Sequence, residues 1–342
     1  MTIVATNLES VRAGSTSEVN WQQALKLAIR DARQLCELLR LPTKYAEQAH
    51  QAAGGFPLFA PLEYVRRMRV GDPADPLLRQ VLPILDELQV KEGYSHDPVG
   101  DGAAALTPSL LKKYHGRALL VTTGACAVHC RYCFRRHYPY SESPPRVEQW
   151  EQALDCVAED DSIVEVLLSG GDPLTLVDDQ IAWLMGRLAK IPHIRRVRIH
   201  TRLPIVIPQR VTTALLEAIV DSRLQAIMVI HANHANEIDA QVAEVLDQLV
   251  QANVMLFNQA VLLKGVNDET QTLVELSNRL IDNRVAPYYL HALDPVHGAA
   301  HFEVSQERAL QLVQAMRGQL PGYAVPRYVR EVAGEPSKQV IA

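Results

Sequence analysis

Three of the five cysteines in this 342-residue chain fall within eight residues, in the run Cys126-Ala-Val-His-Cys130-Arg-Tyr-Cys133. Thiolates bind soft metals, and a loop spaced by three and then two residues can fold three of them around one face of an iron–sulfur cluster. Such clusters normally take four cysteines, so a chain that offers three leaves one iron open to another ligand. The alternative is a zinc site completed by His129 or His137. Structural zinc usually draws paired ligands from two separate turns, and no second CxxC is present. His129 therefore reads as a neighbour of the ligands. Cys36 and Cys156 stand alone in helix-like surroundings and read as small buried hydrophobes.

The rest of the sequence supplies a scaffold on which such residues can converge. ALLVTTG, IVEVLLSGG, VRIHTRLP, AIMVIHANH, VMLFNQAVLL and APYYLHALD are six short apolar or β-branched runs of the kind that form buried parallel strands. Helical segments separate them: VEQWEQALDCVAED, DQIAWLMGRLAKI, TTALLEAIVD, EIDAQVAEVLDQLVQ and ETQTLVELSNRLI. This alternation predicts a parallel α/β architecture with right-handed crossovers. Six units are two short of an eightfold barrel, which leaves an open barrel or a doubly wound sheet. Polar residues gather where each strand hands over to its helix. Cys126 follows the first strand, Ser169-Gly170-Gly171-Asp172 the second, and His200 and Arg202 the third. His231 follows the fourth, Asn258 and Gln259 the fifth, and Asp294 the sixth. Parallel α/β proteins build their sites at these carboxyl ends, so the six clusters should share one mouth.

Upstream, residues from about 18 to 92 read as helical, from WQQALKLAIRDARQLCELL and LLRQVLPILDELQ, and GYSHDPVGDGAAALTP reads as a linker. The implied division is 1–105 for a helical region and linker, 106–320 for the α/β core and 321–342 for a C-terminal segment. With 48% hydrophobic and 21% charged residues the composition is that of an ordinary globular protein. A net charge of −5 disfavours nucleic-acid binding, and no apolar run is long enough to span a bilayer. The N-terminal MTIVATNLESVRAG lacks the basic region and apolar core of a secretory signal, so a cytoplasmic protein is expected.

CxxxCxxC at the end of the first strand of an α/β barrel resembles the radical S-adenosylmethionine superfamily, whose usual fold is a partial (β/α)6 barrel. The resemblance implies a [4Fe–4S] cluster on Cys126, Cys130 and Cys133, with S-adenosylmethionine chelated to the open iron and cleaved to a 5′-deoxyadenosyl radical. Ser169-Gly170-Gly171-Asp172 resembles the superfamily's glycine-rich stretch, which contacts the methionyl amino group. Taken alone, the same four residues read as a tight strand-to-helix turn.

From about residue 90 onward the chain resembles, more specifically, the lysine 2,3-aminomutase family. CRYCFRRHYP, NQAVLLKGVND, YYLHALDPVHGAAHF and GEPSK carry the likeness, which is strongest to the short EpmB type that serves elongation factor P modification. By itself Lys338 reads as a solvated charge in a terminal tail. The resemblance makes it the lysine that forms a Schiff base with pyridoxal 5′-phosphate, although Glu-Pro-Ser stands where the family has glycines. It likewise implies Arg117 for the cofactor phosphate and Arg135 for the substrate α-carboxylate, roles that suit the guanidinium fork. Asp294 and Glu331 match the positions that face the distant ammonium of lysine, Glu331 being one methylene longer than the family's aspartate. His231 and Gln259 match residues near the adenosyl group. His200, Arg202 and Asn258 read as orienting residues, Arg136 has no role, and His297 and His301 read as surface or capping residues.

The reaction so implied moves the amino group of free L-lysine from C2 to C3 and gives β-lysine. The adenosyl radical takes a hydrogen from the β-carbon and returns it after the migration. An arginine mutase is an alternative, since that side chain is also cationic, whereas two acids do not suit glutamate. A non-catalytic Fe–S electron carrier would supply a fourth ligand and have no use for Lys338. The implied partners are a reducing donor such as flavodoxin or ferredoxin and the ligase that attaches β-lysine to elongation factor P. A homo-oligomer is left open. The inter-subunit zinc site of the longer catabolic members is not expected, since no cysteine follows Cys156.

Overall fold

Short apolar runs cannot satisfy their backbone groups alone, and here they are gathered into one ten-stranded sheet. The computed structural model describes residues 19–140 and 147–342. Ala105–Thr107 (β1) and Leu110–Tyr114 (β2) pair antiparallel, and β2 pairs antiparallel with Arg117–Thr123 (β3). From β3 the pairing is parallel through Glu165–Gly170 (β4), Arg196–Thr201 (β5), Gln225–Ile230 (β6), Met255–Val261 (β7), Ala286–His291 (β8) and Arg327–Arg330 (β9). Gln339–Val340 (β10) returns antiparallel to β9. Among the described residues the strand order is sequential from β1 to β10, and the sheet is not closed. A partial (β/α)6 barrel is therefore the architecture, with a hairpin added at each edge.

Alternation along the strands decides which side chains reach the concave face. Val166, Leu168, Val197 and Ile199 are buried within the apolar core. Their neighbours Glu165, Ser169, Arg198 and His200 belong to the opposite, partly accessible set, and Glu165 pairs there with Arg198 at 2.6 Å.

Before the barrel come Trp21–Lys26 (α1), Ala32–Leu38 (α2) and Thr43–Ala52 (α3). Between the parallel strands lie Val147–Glu159 (α4), Asp178–Ala189 (α5), Thr213–Val220 (α6), Ala240–Gln251 (α7) and Thr270–Asp282 (α8), and Gln306–Arg317 (α9) joins β8 to β9. Each of α5 to α9 buries an apolar stripe, such as Ile181, Leu184, Met185 and Leu188 on α5.

The structure departs from the sequence reading in four places. WQQALKLAIRDARQLCELL breaks between α1 and α2, because Ile29 bridges to Ala60 and Asp31 caps α2 by accepting the Arg33 N–H at 2.8 Å. LLRQVLPILDELQ yields only one helical turn at Pro76–Arg79 and a 3-10 turn at Leu85–Leu88, since Pro83 cannot donate to a helix. The edge hairpins and α9 add elements beyond the six strands and five helices read from the sequence. The Gly- and Pro-rich stretch is held on the mouth: Ser95 donates to Pro295 O at 2.9 Å and bridges to Val296, and Asp101 is buried. No helix among the described residues is long and apolar enough to cross a membrane. The stretch read for a secretory signal lies outside the described residues.

Candidate functional site

The turn after β4 explains its own glycines. Gly171 donates to Thr123 O at 2.7 Å and Asp172 to Ala125 O at 2.8 Å, zipping this turn onto the chain just before Cys126. A Cβ on Gly171 would stand 2.2 Å from Ala125 O, and Gly170 has φ +113°, a conformation that costs any residue with a Cβ. Asp172 is buried, and its carboxylate accepts from Thr201 Oγ1, Leu174 N, Arg202 N and Leu203 N at 2.7–3.1 Å. It fixes the end of β5 to the end of β4.

From the other side the cysteine loop is clamped by two arginines. Arg131 donates to Glu87 at 2.8 Å and to Phe56 O at 2.7 Å, while Arg136 donates to Glu87 at 2.8 Å and to Gly298 O at 3.0 Å. Arg136, which the sequence left without a role, is thus a strut of the loop. As whole residues the three cysteines are half-buried. Burial, followed by the charges of Cys133, Asp172 and Cys130, pushes the Cys126 thiol well above its usual range. Burial and then Cys130 push Cys133 up to about 11. Three thiolates so placed repel one another, a repulsion that a cationic iron cluster would relieve, so the donor set fits that group. No three His, Cys, Asp or Glu side chains among the described residues stand close enough to hold a single metal ion. The imidazoles weighed as zinc ligands are engaged elsewhere: His129 Nδ1 lies 2.8 Å from Pro57 O, and His137 Nε2 3.1 Å from His297 O.

Arg135 leads from the thiols to the second half of the mouth. It donates to Asp101 at 2.7 Å and to Ser169 Oγ at 3.2 Å. Asp101 also pairs with Lys113 at 2.7 Å, Lys113 reaches Glu331 at 3.2 Å, and Glu331 pairs with Lys338. A ladder of alternating charge therefore runs from Lys338 to Arg135. Lys338 is no floppy tail residue: it immediately precedes β10, and the turn before it is set by Gly334 at φ +83°. Burial pulls its amine down to about 8, against the opposing pull of Asp294, with Lys113, Arg117 and Arg198 adding to the fall. Burial lifts Asp294 to about 6, although Lys338 and Lys113 counter it. Arg117 enters β3 with its guanidinium 4.6 Å from the Tyr114 ring centre. His200 and His291 both feel the charge of Lys338, and each has a buried Nε2 with no hydrogen-bond partner among the described residues. Burial holds both imidazoles neutral, His291 down to about 3. An amine beside two unsatisfied ring nitrogens and several cations fits an anionic carbonyl cofactor.

Other residues singled out from the sequence divide in two. His231 Nε2 lies 2.8 Å from Tyr132 OH, stacked on that ring, and burial keeps it neutral. Gln259 is partly buried on β7. Asn258 spends both ends of its amide on the backbone of Ala232, at 2.9 and 3.0 Å, and so braces the β6 terminus. Arg202 lies under the cysteine loop and donates to Cys130 Sγ at 2.7 Å. His301 packs against Phe302, ring centres 4.1 Å apart. Sequence reasoning missed Asp101, Lys113, Arg198 and His291. Arg198 shares a strand face with His200, a signal that period-two counting could have found. Asp101 and Lys113 offer no such local signal.

With this geometry in hand, the sequence matches the Radical SAM superfamily over residues 120–276. It is 46% identical over 325 residues to the L-lysine 2,3-aminomutase of Haemophilus influenzae, covering 95% of this chain and 96% of that one. It is likewise 46% identical over 329 residues to the L-lysine 2,3-aminomutase of Escherichia coli, covering 96% of each. To that of Buchnera aphidicola it is 40% identical over 321 residues, covering 93% of this chain and 94% of the other. These relatives match the chain over nearly its whole length, and the chain belongs to the L-lysine 2,3-aminomutase family of radical SAM proteins.

Proposed function

We propose that this protein converts L-lysine to β-lysine, using a [4Fe–4S] cluster with S-adenosylmethionine and a pyridoxal 5′-phosphate attached to Lys338. The observation that carries this reading is the shared mouth: one cationic fork, two carboxylates and a depressed amine stand beside a three-thiol loop. That set complements the carboxylate and distant ammonium of free lysine. When bound, the cluster and S-adenosylmethionine supply a carbon radical, and pyridoxal phosphate supplies the conjugated ring across which nitrogen can migrate.

The chain's own residues hold and orient. Cys126, Cys130 and Cys133 would hold the cluster, while Ser169, Gly170 and Gly171, in a turn held in place by Asp172, would contact S-adenosylmethionine. His231 and Gln259 border the adenosyl group. Lys338 offers a neutral amine more readily than a solvent-exposed lysine would, and Arg117 takes the cofactor phosphate. Arg135 exchanges its hold on Asp101 for the substrate carboxylate, a charge-assisted bidentate contact. Asp294 and Glu331 take the side-chain ammonium. Residues 106–320 form the radical core, residues 1–105 the preceding region and 321–342 the segment that carries Lys338. A low-potential donor such as flavodoxin or ferredoxin delivers the electron, and the β-lysine passes to a ligase acting on elongation factor P.

Anaerobic protein supplied with both cofactors, a reductant and lysine labelled at the α-nitrogen should yield β-lysine carrying the label at C3. No conversion of lysine, or faster conversion of arginine offered in parallel, would overturn the assignment.

A further inference from the structure

Cys130 differs from the other two thiols in its surroundings. Cys133 takes a neutral backbone N–H from Arg135. Cys130 Sγ instead takes a charged donor, Arg202 Nη1, at 2.7 Å. Arg202 is not free to drift there. Its backbone N–H is tied to Asp172 at 2.7 Å, and its guanidinium also donates to Tyr132 OH at 2.8 Å, Gln80 Oε1 at 2.7 Å, Glu237 Oε2 at 2.7 Å and Tyr64 OH at 3.2 Å. The Arg202 side chain is 6% exposed and that of Glu237 0%, so water screens neither charge.

We propose that Arg202 is a positioning residue that sets the reduction potential of the cluster through Cys130, with Glu237 as the counter-charge that limits its effect. The inference rests on the cluster assignment made above. A one-electron reduction adds negative charge to the cluster and its sulfurs, and a charged N–H donor stabilises that electron-rich state more than the oxidised one. Arg202 therefore raises the potential, and Glu237 lowers it by offsetting the guanidinium. The same fork makes one thiolate of three a poorer electron donor to its iron. The two residues must then act with opposite sign, which a merely structural hub would not do.

The test compares the reconstituted wild type with Arg202→Gln, Arg202→Lys and Glu237→Gln, first by iron and sulfide content and then by redox titration followed by electron paramagnetic resonance. At a fixed poise Arg202→Gln should lower the reduced-to-oxidised ratio at least tenfold, about 59 mV downward for one electron. Glu237→Gln should raise that ratio, and Arg202→Lys should fall between wild type and Arg202→Gln. Shifts in the same direction for Arg202→Gln and Glu237→Gln, or potentials unmoved in variants that carry a full cluster, would overturn the proposal alone. If Arg202→Gln fails to load iron, an unmoved potential in Glu237→Gln overturns it. A wild type that assembles no cluster would instead overturn the underlying assignment.

Discussion

Lys338 Nζ meets the Glu331 carboxylate across the β9–β10 hairpin, one position beyond the paired residues Arg330 and Gln339. Two groups with separate proposed tasks, holding a cofactor and holding a substrate ammonium, are thus partners in this structure. Taking up a carbonyl compound on Lys338 removes its ammonium from Glu331 and frees that acid for a cationic substrate. Cofactor attachment would then precede tight lysine binding.

The first prediction is a pH dependence for carbonyl capture. A lysine at 10.5 is neutral in about one molecule in 3,000 at pH 7, whereas one at about 8 is neutral in about one in ten. Only the neutral amine attacks a carbonyl, so capture of pyridoxal phosphate by the protein should rise with pH and level off above about pH 8. Asp294 holds this amine up, so Asp294→Asn should move the midpoint lower. Absorbance-monitored capture rates from pH 6 to 10 read this out. A midpoint near 10.5 would mean that Lys338 is not the reacting amine, as would borohydride labelling of Lys264.

Cluster loading provides the second. Cys126→Ala, Cys130→Ala and Cys133→Ala should each lose cluster iron and form no 5′-deoxyadenosine from S-adenosylmethionine. Iron and sulfide analysis with chromatography of the nucleoside decides it. Near-normal cleavage in any one variant contradicts the three-thiol site.

Substrate charge gives the third. Asp294→Asn or Glu331→Gln leaves a buried ammonium short of a charged partner, a loss of about 1–3 kcal/mol or roughly 5- to 150-fold in kcat/KM for lysine. Analogues lacking the ε-amino group should lose much less. Equal losses for lysine and such analogues would make these acids structural.

The fourth concerns the turn after β4. Gly171→Ala places a methyl 2.2 Å from Ala125 O, and relieving that overlap should cost about 1–3 kcal/mol. A lowered melting temperature should come with reduced iron content, because the displaced segment leads straight into Cys126. Calorimetry and iron analysis on the same sample check both, and an unchanged Tm with full iron loading would show that the turn yields freely.

The fifth is cellular. Deleting the gene should remove β-lysine from elongation factor P, seen as a fall in the mass of the intact factor. An unchanged mass would separate the mutase from that pathway.

Much of this was legible in the sequence, for reasons that differ by residue. Cys126, Cys130 and Cys133 are neighbours by chain spacing alone, and β3 to β8 announce themselves as apolar runs long enough to show a period. Lys338 is a different matter. Arg327–Arg330 and Gln339–Val340 are four and two residues long, too short for a periodic signal, so the hairpin that turns a terminal lysine into a sited amine is invisible locally. The α9 helix carries signals of its own, with Ser305 as its N-cap and Gly318 at its C-cap, but it lies beyond the six apolar runs that define the core. Asp101 and Lys113 matter through Arg135 and Glu331, and such long-range pairing leaves no trace in spacing. Arg202 was noticed for its position; its contact with Cys130 exists only once β5 has joined the sheet.

The clamp around the thiols also bears on how iron reaches them. Glu87, Gln80 and Phe56 come from the first third of the chain, while Gly171, Arg202 and Gly298 come from segments made after the cysteines. A ribosome that has released only the cysteine loop has not yet supplied half of its walls. The thiol loop therefore acquires its full set of walls only after Gly298 has been made, and a cluster inserted before that point would meet an incomplete site.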